Sequence, residues 1–224
     1  MKNKSKIRKL NNWERDRYRS WLSFYRIEFK SLREFRQFAS ECYNIKKNGN
    51  KANLILNHGQ RLIELADNSG KMIKNRASFQ IFFLIVCSES IIRIIENKSY
   101  DRGMSEKSVI NFFENYVLGE DKKLFESYFR RSLADEKFRT SQFSFDFKDL
   151  IKYFYKIRCQ VAHQGMYWGF SWANEDADMM NFIEDENRQG KINSDIIEVR
   201  RGVNYQKIRP LFVRSIINAT KSIL

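Results

Sequence analysis

The sequence predicts an all-α helical bundle, and three observations carry that expectation. One proline and nine glycines in 224 residues leave too little turn punctuation for the many reversals of a β-sandwich or barrel. Apolar residues recur through long stretches at the three-and-four spacing of a single helical face. Aromatic side chains make up 15% of the chain, a density that disordered chains lack and that a packed core uses as bulk.

Taken in order, residues 1–11 form a basic, polar tail. Residues 13–43 hold neither Pro nor Gly and place Tyr18, Trp21, Leu22, Tyr25, Phe29, Leu32 and Phe35 at helical spacing, which predicts one long helix. Asn48-Gly49-Asn50 is a break. A second helix is expected over 52–67, with Leu54, Ile55, Leu62 and Leu65 inward and a stop at Asn68-Ser69-Gly70. Residues 77–97 are apolar on nearly all sides, which marks a central helix. Two shorter helices follow over 105–117 and 121–133, then a loop over 134–143.

Phe147, Leu150, Ile151, Phe154, Ile157 and Val161 form the apolar face of a further helix, with Asp146 or Ser144 as N-cap and Gly165 as its stop. Residues 166–172 have strand-like composition and 195–200 alternate like a short edge strand, leaving room for a small β-hairpin after that helix. Between them Glu175, Asp176, Asp178, Glu184, Asp185 and Glu186 form an acidic run. It lacks histidine and a glycine-centred calcium loop, so a solvated helix rather than a metal site is expected, and no cofactor is called for. A last helix spans about 204–223, with Pro210 tolerable only near its first turn. The expected organisation is a basic N-terminal helical region, 1–70, packed on the same domain as a helical unit, 71–224.

The charge balance limits the partners. Lys and Arg number 41 against 27 Asp and Glu, a net charge of +14, and such an excess favours polyanions, nucleic acid first. Residues 1–40 alone carry twelve Lys or Arg against four acids, so Arg15 and Arg19 are candidates for RNA contact, as are Arg130 and Arg131 further on. Cys42, Cys87 and Cys159 are odd in number and contain no C-x-x-C pair, which suggests neither a disulfide framework nor a structural zinc and fits a reducing cytoplasm. The longest apolar run, 81–87, is far short of the roughly 20 residues of a membrane span. A cytoplasmic protein with no membrane partner is expected.

The chemistry gathers at residues 154–165, FYKIRCQVAHQG. Arg158 and His163, one of only two histidines, close the amphipathic helix with four residues between them. Imidazole exchanges protons near neutral pH, and guanidinium is a permanent cation whose fork matches two phosphate oxygens. Together they suit phosphodiester cleavage. Five residues on an ideal helix leave the two side chains about 140° apart, so a long arginine arm, a distorted helix end or a partner chain must bring them together. The other histidine, His58, has no ligand-spaced neighbour and reads as structural. In the central helix Glu89 can pair with Arg93, four residues on, or can reach the motif helix and hold Arg158.

This stretch resembles the signature of the HEPN superfamily: an arginine, usually a polar residue, several variable residues, then histidine, at the end of an aromatic-rich helix. The resemblance covers about residues 75–224. It implies an all-helical, homodimeric, metal-independent endoribonuclease of bacterial toxin–antitoxin or phage-defence type, with Arg158 and His163 of both copies meeting at the dimer interface and an antitoxin or defence protein as a further partner. Cys159 stands where the family usually carries Asn, Asp or His. Some members carry a modifiable tyrosine two residues after the histidine; here that place is Gly165, and Tyr167 lies two further on. Cys159 in that position favours the alternative, a non-catalytic HEPN-like module that binds RNA or protein.

Overall fold

A computed structural model describes residues 12–43, 49–72, 77–97, 105–133, 142–143, 146–166, 168–186 and 192–224. The fold is mostly helical. Its helices are α1 (Asn12–Tyr25), α2 (Leu32–Cys42), α3 (Lys51–Met72), α4 (Ala77–Glu96), α5 (Ser105–Tyr116), α6 (Gly119–Ser127), α7 (Phe147–Cys159) and α8 (Tyr205–Lys221). Four strands, β1 (Phe129–Leu133), β2 (Gln142–Phe143), β3 (Met179–Glu186) and β4 (Ile192–Val199), form one antiparallel sheet in the order β2-β1-β4-β3.

Helix α4 is the centre, flanked by α3, α5, α7 and α8. By length and composition it is the one described helix that could cross a membrane, yet 56% of its apolar window is buried inside the protein, as expected for a core helix. Leu84, Ile85, Cys87 and Ile91 are buried along it, and burial pushes the Cys87 thiol up to about 12. One apolar cluster runs from Trp21 and Tyr25 in α1 to Ile216 and Ala219 in α8. Arg209 of α8 reaches Asp67 of α3 at 2.9 Å, and Arg214 bridges Asp121 at 2.7 Å and Glu28 at 3.0 Å. The basic N-terminal helices therefore share a core with the rest of the chain.

The single helix expected over 13–43 is instead two, parted by a 3₁₀ turn at Arg26–Glu28. Ser31 caps α2 by accepting from the Glu34 N–H at 3.1 Å, while the Glu34 carboxylate accepts from the Lys30 N–H. Ser31-Leu32-Arg33-Glu34 is the S-x-x-E start signal, and it outweighs the unbroken apolar spacing. Helix α3 runs past the expected stop at Gly70 to Met72. Within it Gly59 makes room for its neighbours: a Cβ there would lie 2.8 Å from Ile216 Cγ2 and 3.1 Å from the Tyr25 hydroxyl. Gly59→Val is expected to cost about 1–3 kcal/mol through overpacking, read as a lower midpoint in urea unfolding.

Five further expectations are corrected. The helix over 121–133 stops at Ser127, and Phe129–Leu133 is strand β1, with Phe129 seated on Phe154 at 5.2 Å between ring centroids. Residues 166 and 168–172 are not strand; the segment after Trp168 is pinned irregularly, with the Phe170 N–H on Ser78 Oγ at 3.0 Å and the Ser171 N–H on Asn181 Oδ1 at 2.6 Å. Strand β4 is interior rather than an edge, and the acidic run expected as a helix ends inside β3. Pro210 lies in the second turn of α8, where the missing N–H removes one ladder bond without ending the helix.

Candidate active site

Helix α7 is fixed in place before its last turn. Asp146 caps it, its carboxylate accepting from the Lys148 N–H at 3.3 Å. Phe154 is buried edge-on against Phe125 at 5.9 Å and Phe170 at 6.0 Å, an arrangement that suits aromatic rings. The Tyr153 hydroxyl donates to the Asn181 carbonyl at 3.0 Å and ties the helix to β3.

Past Cys159 the helix widens into a π turn, Gln160–Gln164. The Gly165 N–H returns to the Gln160 carbonyl five residues back, and the Met166 N–H reaches the same oxygen at 3.2 Å. Gly165 has φ +64°, the left-handed conformation glycine adopts without a Cβ penalty. A turn closed by five-residue bonds holds more residues per revolution than an α turn. The widening therefore narrows the angle of about 140° that an ideal helix would put between Arg158 and His163. Ala162, His163 and Gln164 are all exposed.

Arg158 is anchored from the core. Glu89 is buried on α4, with Oε1 2.7 Å from Arg93 Nη2 and Oε2 3.5 Å from Arg158 Nη2. Both pairings open to Glu89 in the sequence occur together. Two guanidiniums on one carboxylate leave this triad with one positive charge in excess, at side chains only 15% and 19% exposed for Arg93 and Arg158. The distance to Arg158 lies at the outer limit of a hydrogen bond, its Nε is buried without an acceptor, and its guanidinium lies 5.7 Å from the Tyr155 ring. Glu89 holds the guanidinium through Nη2 alone, so its other donors can turn toward a phosphate.

The remaining candidates are dispersed. Cys159 ends α7 as a half-buried free thiol, and Tyr167 lies outside the described residues. Arg15 and Arg19 are exposed on α1, which docks on α3 rather than on α7, and Arg19 lies 3.5 Å from Asp16. Arg130 of β1 faces Glu198 at 3.7 Å; Arg131 is the next residue of β1. His58 is exposed on α3, and burial, then Arg61, lowers its pKa. Among the described residues no group of three His, Cys, Asp or Glu could hold a metal ion.

Comparison with protein-family models, with curated proteins and with solved structures gave no match. The sequence reading missed Tyr155 beneath the guanidinium, although its place three residues before Arg158 puts it on the same helical face. It also missed the exposed Trp168, Met180 and Phe182 beside the π turn. Met180 and Phe182 alternate with the buried Asn181, a two-residue period that would have found them had the acidic run not suggested a helix.

Proposed function

We propose that the protein is a metal-independent endoribonuclease of the HEPN type, acting as a homodimer in a toxin or phage-defence setting. The observation that carries this reading is an exposed imidazole on a π turn, five residues after an arginine that a core carboxylate anchors. Its supports are the net charge of +14 and the family signature in residues 154–165.

In the reaction, the 2′-oxygen attacks the adjacent phosphorus while its proton passes to one imidazole. The bond to the 5′-oxygen breaks, and that oxygen takes a proton from a second imidazole, leaving a 2′,3′-cyclic phosphate and a 5′-hydroxyl. Arg158 bears on the phosphate oxygens, whose charge grows in the transition state. A single chain supplies one suitably placed histidine, so a two-fold axis beside the exposed π turn supplies the other. Glu89 is a positioning residue for Arg158.

The test is cleavage of a defined RNA by purified protein in excess chelator, with the ends of the products identified. Undiminished cutting that yields 2′,3′-cyclic phosphate is the expected result. Cutting that stops on chelation, or that leaves 5′-phosphate ends, refutes the proposal. RNA binding with no cutting by the wild type would return the chain to the binding-module reading that Cys159 favours.

A further inference from the structure

A cleft of about 710 Å³ opens beside the π turn, walled by Gln160 and Gln164 on one side and by Trp168, Met180 and Phe182 on the other. Its size falls within the range of small-ligand sites. Trp168, Met180 and Phe182 are 64%, 57% and 60% exposed, so three large apolar side chains face solvent together beside the turn that carries His163. Met180 and Phe182 project from the outer face of β3, while Asn181 between them points inward and exchanges two hydrogen bonds with the Ser171 main chain.

The same sheet face continues into a patch where arginines and acids are interspersed. Met180 is registered with Glu198, and Glu198 with Arg130, which puts Arg130 two strands away, about 10 Å. Arg130, Arg200 and Arg201 line a second cleft of about 400 Å³ together with Asp176 and Asp178. Both acids there are exposed, and Asp178 accepts from the Arg201 N–H at 2.5 Å. Arg200 and Arg201 are exposed.

Exposed rings on a strand face, side-chain amides at their margin and guanidiniums further along are what unpaired nucleotides need: a surface to stack on, partners for base edges and cations for phosphates. A protein–protein seam would call for a larger and more continuous apolar area with charge kept out of its centre. We propose that this face binds single-stranded RNA flanking the scissile phosphate, with a base stacked against Phe182 and Trp168 in the cleft and the backbone running on toward Arg130 and Arg200. The inference rests on the endoribonuclease reading for its substrate and adds where the strand lies.

The experiment measures binding of a short fluorescent single-stranded RNA, and of its duplex, to full-length His163→Ala protein, so that no cleavage disturbs the signal. Adding Phe182→Ala or Trp168→Ala is expected to weaken single-strand binding roughly five- to a hundredfold, with Phe182→Trp retaining it. Arg130→Gln with Arg200→Gln should lower the log–log salt slope by about one for each phosphate no longer neutralised. Unchanged affinity in both aromatic variants, or duplex bound as tightly as single strand, overturns the proposal. So does a Phe182→Ala protein that turns monomeric in sedimentation while still binding RNA, because the patch is then an interface between copies. A parallel cleavage assay on the wild type separates the two readings. Binding abolished in the aromatic variants while the wild type never cuts RNA keeps the strand path and removes the nuclease, and cutting with aromatic-independent binding does the reverse.

Discussion

His163→Ala protein should cut RNA about 10²–10⁴-fold more slowly than the wild type, the usual worth of a positioned acid–base group. The residue is exposed, so its removal should leave the thermal midpoint where it was, and the loss will be chemical rather than structural. His58→Ala is the matched control: that imidazole is exposed on α3, and the variant should cut at the wild-type rate. A composite site adds a sharper test. If each cleft needs the imidazoles of two copies, mixing wild-type protein with an excess of His163→Ala protein should lower activity by more than simple dilution, because every mixed dimer holds one His163 instead of two. Activity that falls only in proportion to the wild-type share, with exchange of subunits demonstrated, would place each site within one chain.

Glu89→Ala is expected to be the most destabilising single change near the site. It removes the carboxylate that Arg93 approaches at 2.7 Å and Arg158 at 3.5 Å, and leaving charges partly buried without their partner costs about 2–4 kcal/mol. Urea unfolding measures it directly. Glu89→Gln keeps the shape and one acceptor, so its stability loss should be nearer about 1 kcal/mol, yet Arg158 is deprived of the charge that positions it. The expected outcome for this second variant is a folded protein with slower cleavage and little change in substrate KM. Equal activity in Glu89→Gln and wild type would mean that the ion pair serves the core alone.

Packing determined how much could be read without coordinates. Helices α4 and α7 follow their apolar faces because burial enforces the period, and Gly165 falls at the stop assigned to it. The break between α1 and α2 was written in Ser31 and Glu34, but helical spacing on both sides concealed it. Strands β1 and β3 were hidden for a different reason. Phe129 continues the apolar spacing of α6, and the acids of β3 sit at positions whose face only the pairing with β4 decides. At the site, spacing alone identified Arg93 as a partner of Glu89, whereas Arg158 lies 69 residues away and meets it only because α7 packs on α4. No residue type announces a π turn, since it is a change of backbone winding. That is why the angle between Arg158 and His163 looked wider in the sequence than the fold makes it.

The extra residue wound into that turn has a consequence for spacing. Deleting Ala162 from the π turn would let the backbone rewind as an ordinary α-helix, with arginine and histidine four positions apart and about 40° from one another around the axis. Insertion and winding thus compensate: a longer interval on a wider coil and a shorter one on a tighter coil present the same two groups to the same side. A shortened protein of this kind should fold and should still cut, which makes the interval between the two residues a quantity the helix end can absorb.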